Sequence, residues 1–249
     1  MTVTGLIPAY NPLRGYYLWI VMKLIIYREV QTYMKIIAIN GSPRKNWNTA
    51  TLLARALEGA SSKGAETELV HLYDLNFKGC ISCFACKLTG GEIYGKCAVK
   101  DDLTTLLEYI AASDGIILGS PIYLGNITGE MRSFLERLIF QYLIYDAAYS
   151  SIAPKKMKTG FIYTMNVDIE RMKQFNYEQN LIAMENAMYR TFGHNEVMYS
   201  NDTYQFDDYS KYETGAFNAE HKAEVRKVQF PLDCQKAFDM GVRFVTESL

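Results

Sequence analysis

The chain predicts an α/β fold: a doubly wound, five-stranded parallel sheet with helices on both faces. Three observations predict it. Short apolar runs alternate with segments whose apolar residues recur at helical spacing. The runs are continuously apolar, as strands covered on both faces require. The first run, Met34–Asn40, passes straight into a small, polar loop that ends at a helix start. In such sheets ligands sit outside the carboxyl ends of the strands, where loops 41–48, 120–126 and 164–168 would converge.

Taken in order, the first strand is Lys35–Asn40. The first helix opens at Asn48, a good N-cap residue, and repeats Leu52, Leu53, Ala56, Leu57 and Ala60 on one face. A second strand is read at Thr67–Leu72, followed by a long loop from Tyr73 to Lys100. Asp101 and Asp102 start the second helix at the positive end of its dipole, with Leu103, Leu106, Leu107 and Ile110 facing inward. Gly115–Gly119 is the third strand. The third helix carries Met131, Phe134, Leu135, Leu138 and Ile139, and Lys158–Thr164 is the fourth strand. One long helix is expected over Glu170–Thr191, the fifth strand at Glu196–Ser200, and a last helix from about Phe217 to Val245, broken near Pro231.

The 249 residues are 49% hydrophobic with a formal net charge of −1, enough for one α/β domain with a substantial core. That balance gives no reason to expect nucleic acid or an anionic membrane as partner. Residues 1–33 differ from the rest. The apolar stretch Tyr16–Ile26 is interrupted by Lys23 and falls short of the roughly 20 residues a spanning helix needs. No small-residue cleavage site clearly follows, so a signal peptide is a poor reading. The folded domain is expected to span 34–249, with 1–33 an extension outside the core. That extension is read as an appended arm, an effect of start-codon choice, or an arm packed on a partner subunit.

The loop Gly41-Ser42-Pro43-Arg44-Lys45-Asn46-Trp47-Asn48-Thr49-Ala50 reads as a phosphate cradle. Free backbone N–H groups at a helix start and the positive dipole end attract an anion, and short side chains let it approach. The pattern is neither G-x-x-x-x-G-K-[ST] nor G-x-G-x-x-G, which argues against a P-loop hydrolase and a dinucleotide pyrophosphate. It suits one terminal phosphate monoester, as in a mononucleotide such as FMN. The alternative is a plain strand–turn–helix joint. Asp74 is read as a loop or capping carboxylate rather than a ribose ligand. His71, His194 and His221 are scattered and form no triad or metal motif.

Cys80, Cys83, Cys86 and Cys97 fall in one loop with C-x2-C-x2-C-x10-C spacing. Such clustering points to metal or redox chemistry rather than structural disulfides. Four thiolates suit a cubane cluster or a structural zinc; a loop of reduced cysteines is the other reading. Cys234 stands alone and is read as a packed apolar residue.

Three pieces in order resemble the NAD(P)H-dependent FMN reductases and iron–sulfur flavoproteins of the flavodoxin-like fold. They are Gly41-Ser42-Pro43-Arg44-Lys45-x-x-Asn48-Thr49, the cysteine loop ending in Cys97-x-x-x-Asp101-Asp102, and Ser120-Pro121-Ile122-Tyr123-Leu124-Gly125. Together they cover about Met34 to Leu138; 1–33 and 201–249 lie outside the pattern. The resemblance implies sheet order 2-1-3-4-5 and FMN, with its phosphate on Ser42, Arg44, Asn48, Thr49 and Ala50. Pro121, Ile122, Tyr123, Leu124, Gly125 and Asn126 would lie against the isoalloxazine ring and ribityl chain. Thr164, Met165 and Asn166 would edge the ring, with Tyr123 the expected ring contact and Trp47 a flanking one. It also implies a cytoplasmic homodimer that takes a nicotinamide nucleotide, NADH or NADPH, as co-substrate and hands electrons to a small-molecule or protein acceptor. No catalytic side chain is required. Cys80, Cys83, Cys86 and Cys97 would be the ligands of a [4Fe–4S] centre, although the insertion Lys87–Lys96 makes the last gap longer than in cluster-bearing members. The alternatives are an iron–sulfur flavoprotein, or a flavodoxin-type carrier that does not itself oxidise nicotinamides.

Overall fold

The computed structural model describes residues 33–249; the readings made for the leader fall outside the described residues. Five parallel strands lie in the order β2-β1-β3-β4-β5. They are β1 (Lys35–Asn40), β2 (Glu66–His71), β3 (Gly115–Pro121), β4 (Lys158–Thr164) and β5 (Glu196–Ser200). The register sets Ile37 beside Ile116 and Leu118 beside Phe161. This is the flavodoxin-like topology, and its order reverses between β1 and β3.

The period of two along β1 builds both cores. Ile37 and Ile39 join one core cluster, with Leu106, Leu107, Phe134 and Leu138. Ile36 and Ala38 join the other, with Leu52, Leu53, Ala56 and Phe244. The first cluster is covered by α2 (Leu103–Ala112), α3 (Gly129–Phe140) and α5 (Tyr177–Phe192); the second by α1 (Asn48–Ser61) and α6 (Ala219–Thr246). A short α4 (Ile169–Gln174) precedes α5. Among the described residues no helix is long and apolar enough to cross a membrane.

Four expectations shift. The first helix starts at Asn48 with Trp47, not Asn48, at the N-cap. β2 runs from Glu66, and its expected last residue, Leu72, opens a 3-10 turn ending at Asp74. The single helix expected over Glu170–Thr191 is two, because Asn176 between them takes a left-handed φ of 54°. Asn tolerates that conformation better than most residues.

The last helix runs unbroken through Pro231. Loss of one backbone donor is offset by packing, since two glycines bring α6 onto the backbone of α1. A Cβ on Gly59 would lie 1.9 Å from the Phe238 carbonyl oxygen. Such contact is open only to residues without a side chain.

Candidate functional site

The β1–α1 loop is held from beneath. The Asn40 side chain accepts the Ser42 N–H at 2.9 Å, and Ser42 Oγ accepts the Arg44 N–H at 3.2 Å. Thr128, the N-cap of α3, donates its hydroxyl to the Gly41 carbonyl at 2.7 Å and accepts the Met131 N–H at 3.3 Å. Gly41 is required for closeness: a Cβ there would stand 2.9 Å from Met131 Cβ. The loop is thereby fixed between β1 and α3 before any ligand arrives.

At its far end α1 begins without a side-chain cap. The first intrahelical bond runs from Thr51 N–H to the Trp47 carbonyl at 2.9 Å. The amides of Asn48, Thr49 and Ala50 precede it and have no acceptor within the helix. These three residues are buried, at 4%, 2% and 4% exposure, so an acceptor that enters the site would satisfy those donors.

Two further loops reach the same place. Pro121 closes β3, and the chain turns at Leu124 and Gly125, whose φ values are 51° and 79°. Tyr123 and Asn126 exchange backbone bonds of 2.8 and 3.1 Å across the turn. Two consecutive positive φ values define a tight type I′ geometry. Asn180 of α5 pins it by donating to the Gly125 carbonyl at 3.1 Å. From β4, Thr164 meets Thr49 hydroxyl to hydroxyl at 2.8 Å, joining the end of β4 to the start of α1.

The result is a cavity of about 260 Å³ at the carboxyl edge of the sheet. Ser42, Arg44, Trp47, Asn48 and Thr49 form one wall; Pro121, Ile122 and Tyr123 a second; Thr164, Met165 and Asn166 a third. Of the other expected site residues, Ala50 is buried within the first helical turn, while Leu124 projects fully into solvent. Leu124, Gly125 and Asn126 shape the turn without lining the cavity. A fourth wall is absent from the sequence reading: Thr203, Tyr204 and Gln205, from the segment after β5. The Tyr204 carbonyl accepts from Trp47 Nε1 at 3.1 Å and Asn48 Nδ2 at 2.8 Å. The Gln205 carbonyl accepts from Arg44 Nη1 at 2.6 Å. Nothing local in this Tyr-rich stretch signals a partner some 160 residues earlier in the chain.

A model of the family described as NADPH-dependent FMN reductase matches residues 34–168. The chain belongs to that family. The match to the NADPH-dependent FMN reductase family covers three walls of the cavity and stops before the fourth. Curated relatives include iron-sulfur flavoproteins of Methanocaldococcus jannaschii, 39% identical over 42% of this chain and 51% of the relative, and of Archaeoglobus fulgidus, 40% identical over 42% and 48%. The chain thus spans about half the length of the curated relatives it matches. Among solved structures, an NAD(P)H:quinone oxidoreductase from Methanothermobacter marburgensis superposes with a TM-score of 0.61 at 14% identity, over 85% of this chain and 98% of that one. An azoreductase from Bacillus anthracis gives 0.58 at 12%, over 85% and 100%. At those identities the likeness establishes the fold.

The cysteine loop of this family member is organised by α3. Cys80, Cys83, Cys86 and Cys97 all line one narrow cavity of about 20 Å³, and all are free thiols. Arg137 of α3, whose side chain is fully buried, donates Nε–H to Cys97 Sγ at 3.2 Å. Its remaining donors reach the Lys78 carbonyl at 3.2 Å, the Val99 carbonyl at 3.1 Å and the Asp101 carboxylate at 2.5 Å. One turn further, Gln141 Oε1 accepts the Cys97 N–H at 3.0 Å. One helix face thus grips both ends of the loop. Burial alone would lower the Arg137 pKa, but Asp101 and Cys97 outweigh it and hold the guanidinium charged. Ser82 and Phe84, on either side of Cys83, take left-handed φ values of 55° and 57°. Among the described residues, no three His, Cys, Asp or Glu side chains are arranged to hold a single metal ion.

Proposed function

We propose that the chain binds FMN in the cavity at the start of α1 and passes electrons from NADH or NADPH to a small-molecule or protein acceptor. The observation that carries this reading is the uncapped, buried start of α1, opening into the same cavity as the loops after β3 and β4. A phosphate monoester would supply acceptors for the Asn48, Thr49 and Ala50 amides, which have none within the helix. The site lies where the strand order reverses, the place at which such sheets bind ligands.

Bound there, FMN would supply the hydride and electron-transfer chemistry that the protein's side chains do not. The chain's own residues bind and orient. The α1 amides, with the Ser42 and Thr49 hydroxyls, hold the phosphate end, and Arg44 lends positive charge beside them. Pro121, Ile122 and Tyr123 bound the ring side, and Thr164, Met165 and Asn166 close its edge. The family's use of NADPH supports the nicotinamide partner. A homodimer in the cytoplasm accords with the resemblance carried by the loops.

An absorbance spectrum of the full chain purified without oxygen tests the reading, followed by steady-state oxidation of NADH and NADPH. Bound flavin with turnover of either nucleotide is the expected result. A colourless protein that takes up no FMN would overturn it, and flavin without turnover would leave a flavodoxin-type carrier.

One observation favours a second cofactor. All four cysteines face one cavity, and a buried arginine donates to one of their sulfurs. Iron–sulfur flavoproteins among the relatives support a [4Fe–4S] cluster held by Cys80, Cys83, Cys86 and Cys97. Cys83→Ser should then lose iron and sulfide; equal iron in both proteins would exclude ligation there.

A further inference from the structure

The segment after β5 lies outside the matched family region yet closes the cavity, and the first half of α6, also outside it, braces the Asn48 side chain of the cavity wall. Asn48 shows how. Its side-chain amide donates to the Tyr204 carbonyl at 2.8 Å, and its Oδ1 accepts from Arg226 Nη1 of α6 at 2.9 Å. Both ends of that amide are therefore engaged within the protein, and a phosphate at the α1 start would be met by backbone donors and cationic charge.

Two cations stand at this point. Arg44 is stacked 5.3 Å from the Trp47 ring centroid, and Arg226 lies 4.2 Å from that of Phe230. Both donate to neutral oxygens, Arg44 to the Gln205 carbonyl and Arg226 to the Asn48 amide. Among the described residues neither is in an ion pair, whereas Arg137, Arg171 and Arg243 each have a carboxylate. Lys45, the other cation of the loop, is neutralised by Asp74. Two arginines without counter-charge beside an uncapped helix start leave a local excess of positive charge.

The helix carrying Arg226 is fixed from both sides. Lys222, one turn earlier and buried, bonds the Asn166 carbonyl and the Asp202 carboxylate. Asp233, two turns later, accepts the Ser200 hydroxyl at 2.8 Å. Lys222 thus ties α6 to the loop after β4, and Arg226 ties it to the loop after β1. The same segment carries Gln205, whose Oε1 accepts from Asn166 Nδ2 at 2.8 Å.

We propose that Arg226 is a specificity-determining residue of the flavin site: it holds Asn48 at the α1 start and adds the charge that selects phosphorylated flavin over riboflavin. The proposal rests on the FMN reading above and deepens it. No contact between Arg226 and the phosphate is needed, because a guanidinium one residue removed acts on a dianion through space.

The test is a fluorescence-quench titration of the flavin-stripped full chain with FMN and, separately, with riboflavin. It compares wild type with Arg226→Met, which keeps the stem, and Arg226→Lys, which keeps the charge. Arg226→Met should weaken FMN binding roughly fivefold, the scale of one partly screened charge, and flatten its salt dependence. Riboflavin affinity should stay within about twofold, and Arg226→Lys, which keeps the positive charge, should recover most of the FMN affinity. Equal weakening of both flavins would assign Arg226 a packing role and overturn the proposal, as would unchanged FMN affinity. A wild-type chain that binds neither flavin would instead overturn the underlying FMN reading. Thermal unfolding of each variant, followed by circular dichroism, verifies that the compared proteins are folded.

Discussion

Gly241 of α6 lies against the carbonyl of Ala56 in α1, so closely that a Cβ at 241 would fall 1.7 Å from that oxygen. The two helices cross backbone to backbone, and this contact sets where α6 runs. Arg226, earlier on the same helix, reaches Asn48 because the crossing holds the helix down over the start of α1.

Gly241→Ala is therefore expected to destabilise the fold by about 3 kcal/mol, the upper range for overpacking a fitted contact. The neighbour is a backbone oxygen with no rotamer to change. Urea unfolding followed by circular dichroism reads the loss. A midpoint equal to wild type would show that α6 can lift from α1 at no cost.

Thr49→Glu should abolish flavin retention. Thr49 is 2% exposed and its hydroxyl bonds Thr164 at 2.8 Å, so a carboxylate forced into that space would meet the phosphate dianion. Flavin released by denaturing a known amount of protein measures the effect. Wild-type FMN content would contradict the assignment.

Asp101→Ala removes the carboxylate that neutralises the buried Arg137. Stranding a buried guanidinium costs roughly 3–5 kcal/mol. The loop ends at Val99 and Cys97 should also loosen, since the same arginine holds them. Denaturant midpoints give the first effect and the rate of thiol modification by a maleimide the second. A stable variant with unchanged thiol rates would show that Arg137 does not organise the loop.

Glu185 of α5 carries a pH signature. Burial raises its pKa above the ordinary carboxylate value, and the neighbouring Tyr163 and Tyr199 hydroxyls only partly oppose that rise. Between the ordinary and the raised value the folded chain holds a proton that the unfolded chain has released. Stability therefore falls as pH climbs through that window. Glu185→Gln, which cannot ionise, should gain on wild type as pH rises above the ordinary carboxylate range. Parallel pH profiles of the two unfolding midpoints would contradict this.

Much of the site was legible because its signals are local. The run into Gly41, the small residues to Thr49, and the Ser120–Asn126 loop each declare their conformation within a few residues. Strand alternation then brings them to one edge. Ser42, Thr49, Tyr123 and Thr164 could be named together on that basis, and all four line the cavity. The four cysteines were legible by spacing, whereas Arg137, which orders their loop, was hidden in an ordinary amphipathic helix.

The amino-acid order alone determined a five-stranded parallel sheet and the three loops at its carboxyl edge, because periodicity and turn chemistry act over a handful of residues; the strand order followed from the family resemblance. Only the folded chain decided that α6 continues past Pro231, that the helix after Asp168 divides at Asn176, that Tyr204 and Gln205 complete the cavity, and that Arg226 braces its Asn48 wall. Those outcomes depend on contacts such as Arg226 to Asn48, 178 residues apart. A side chain whose partner is that distant carries no local mark of it, so burial and backbone approach settle the pairing after the sheet has formed.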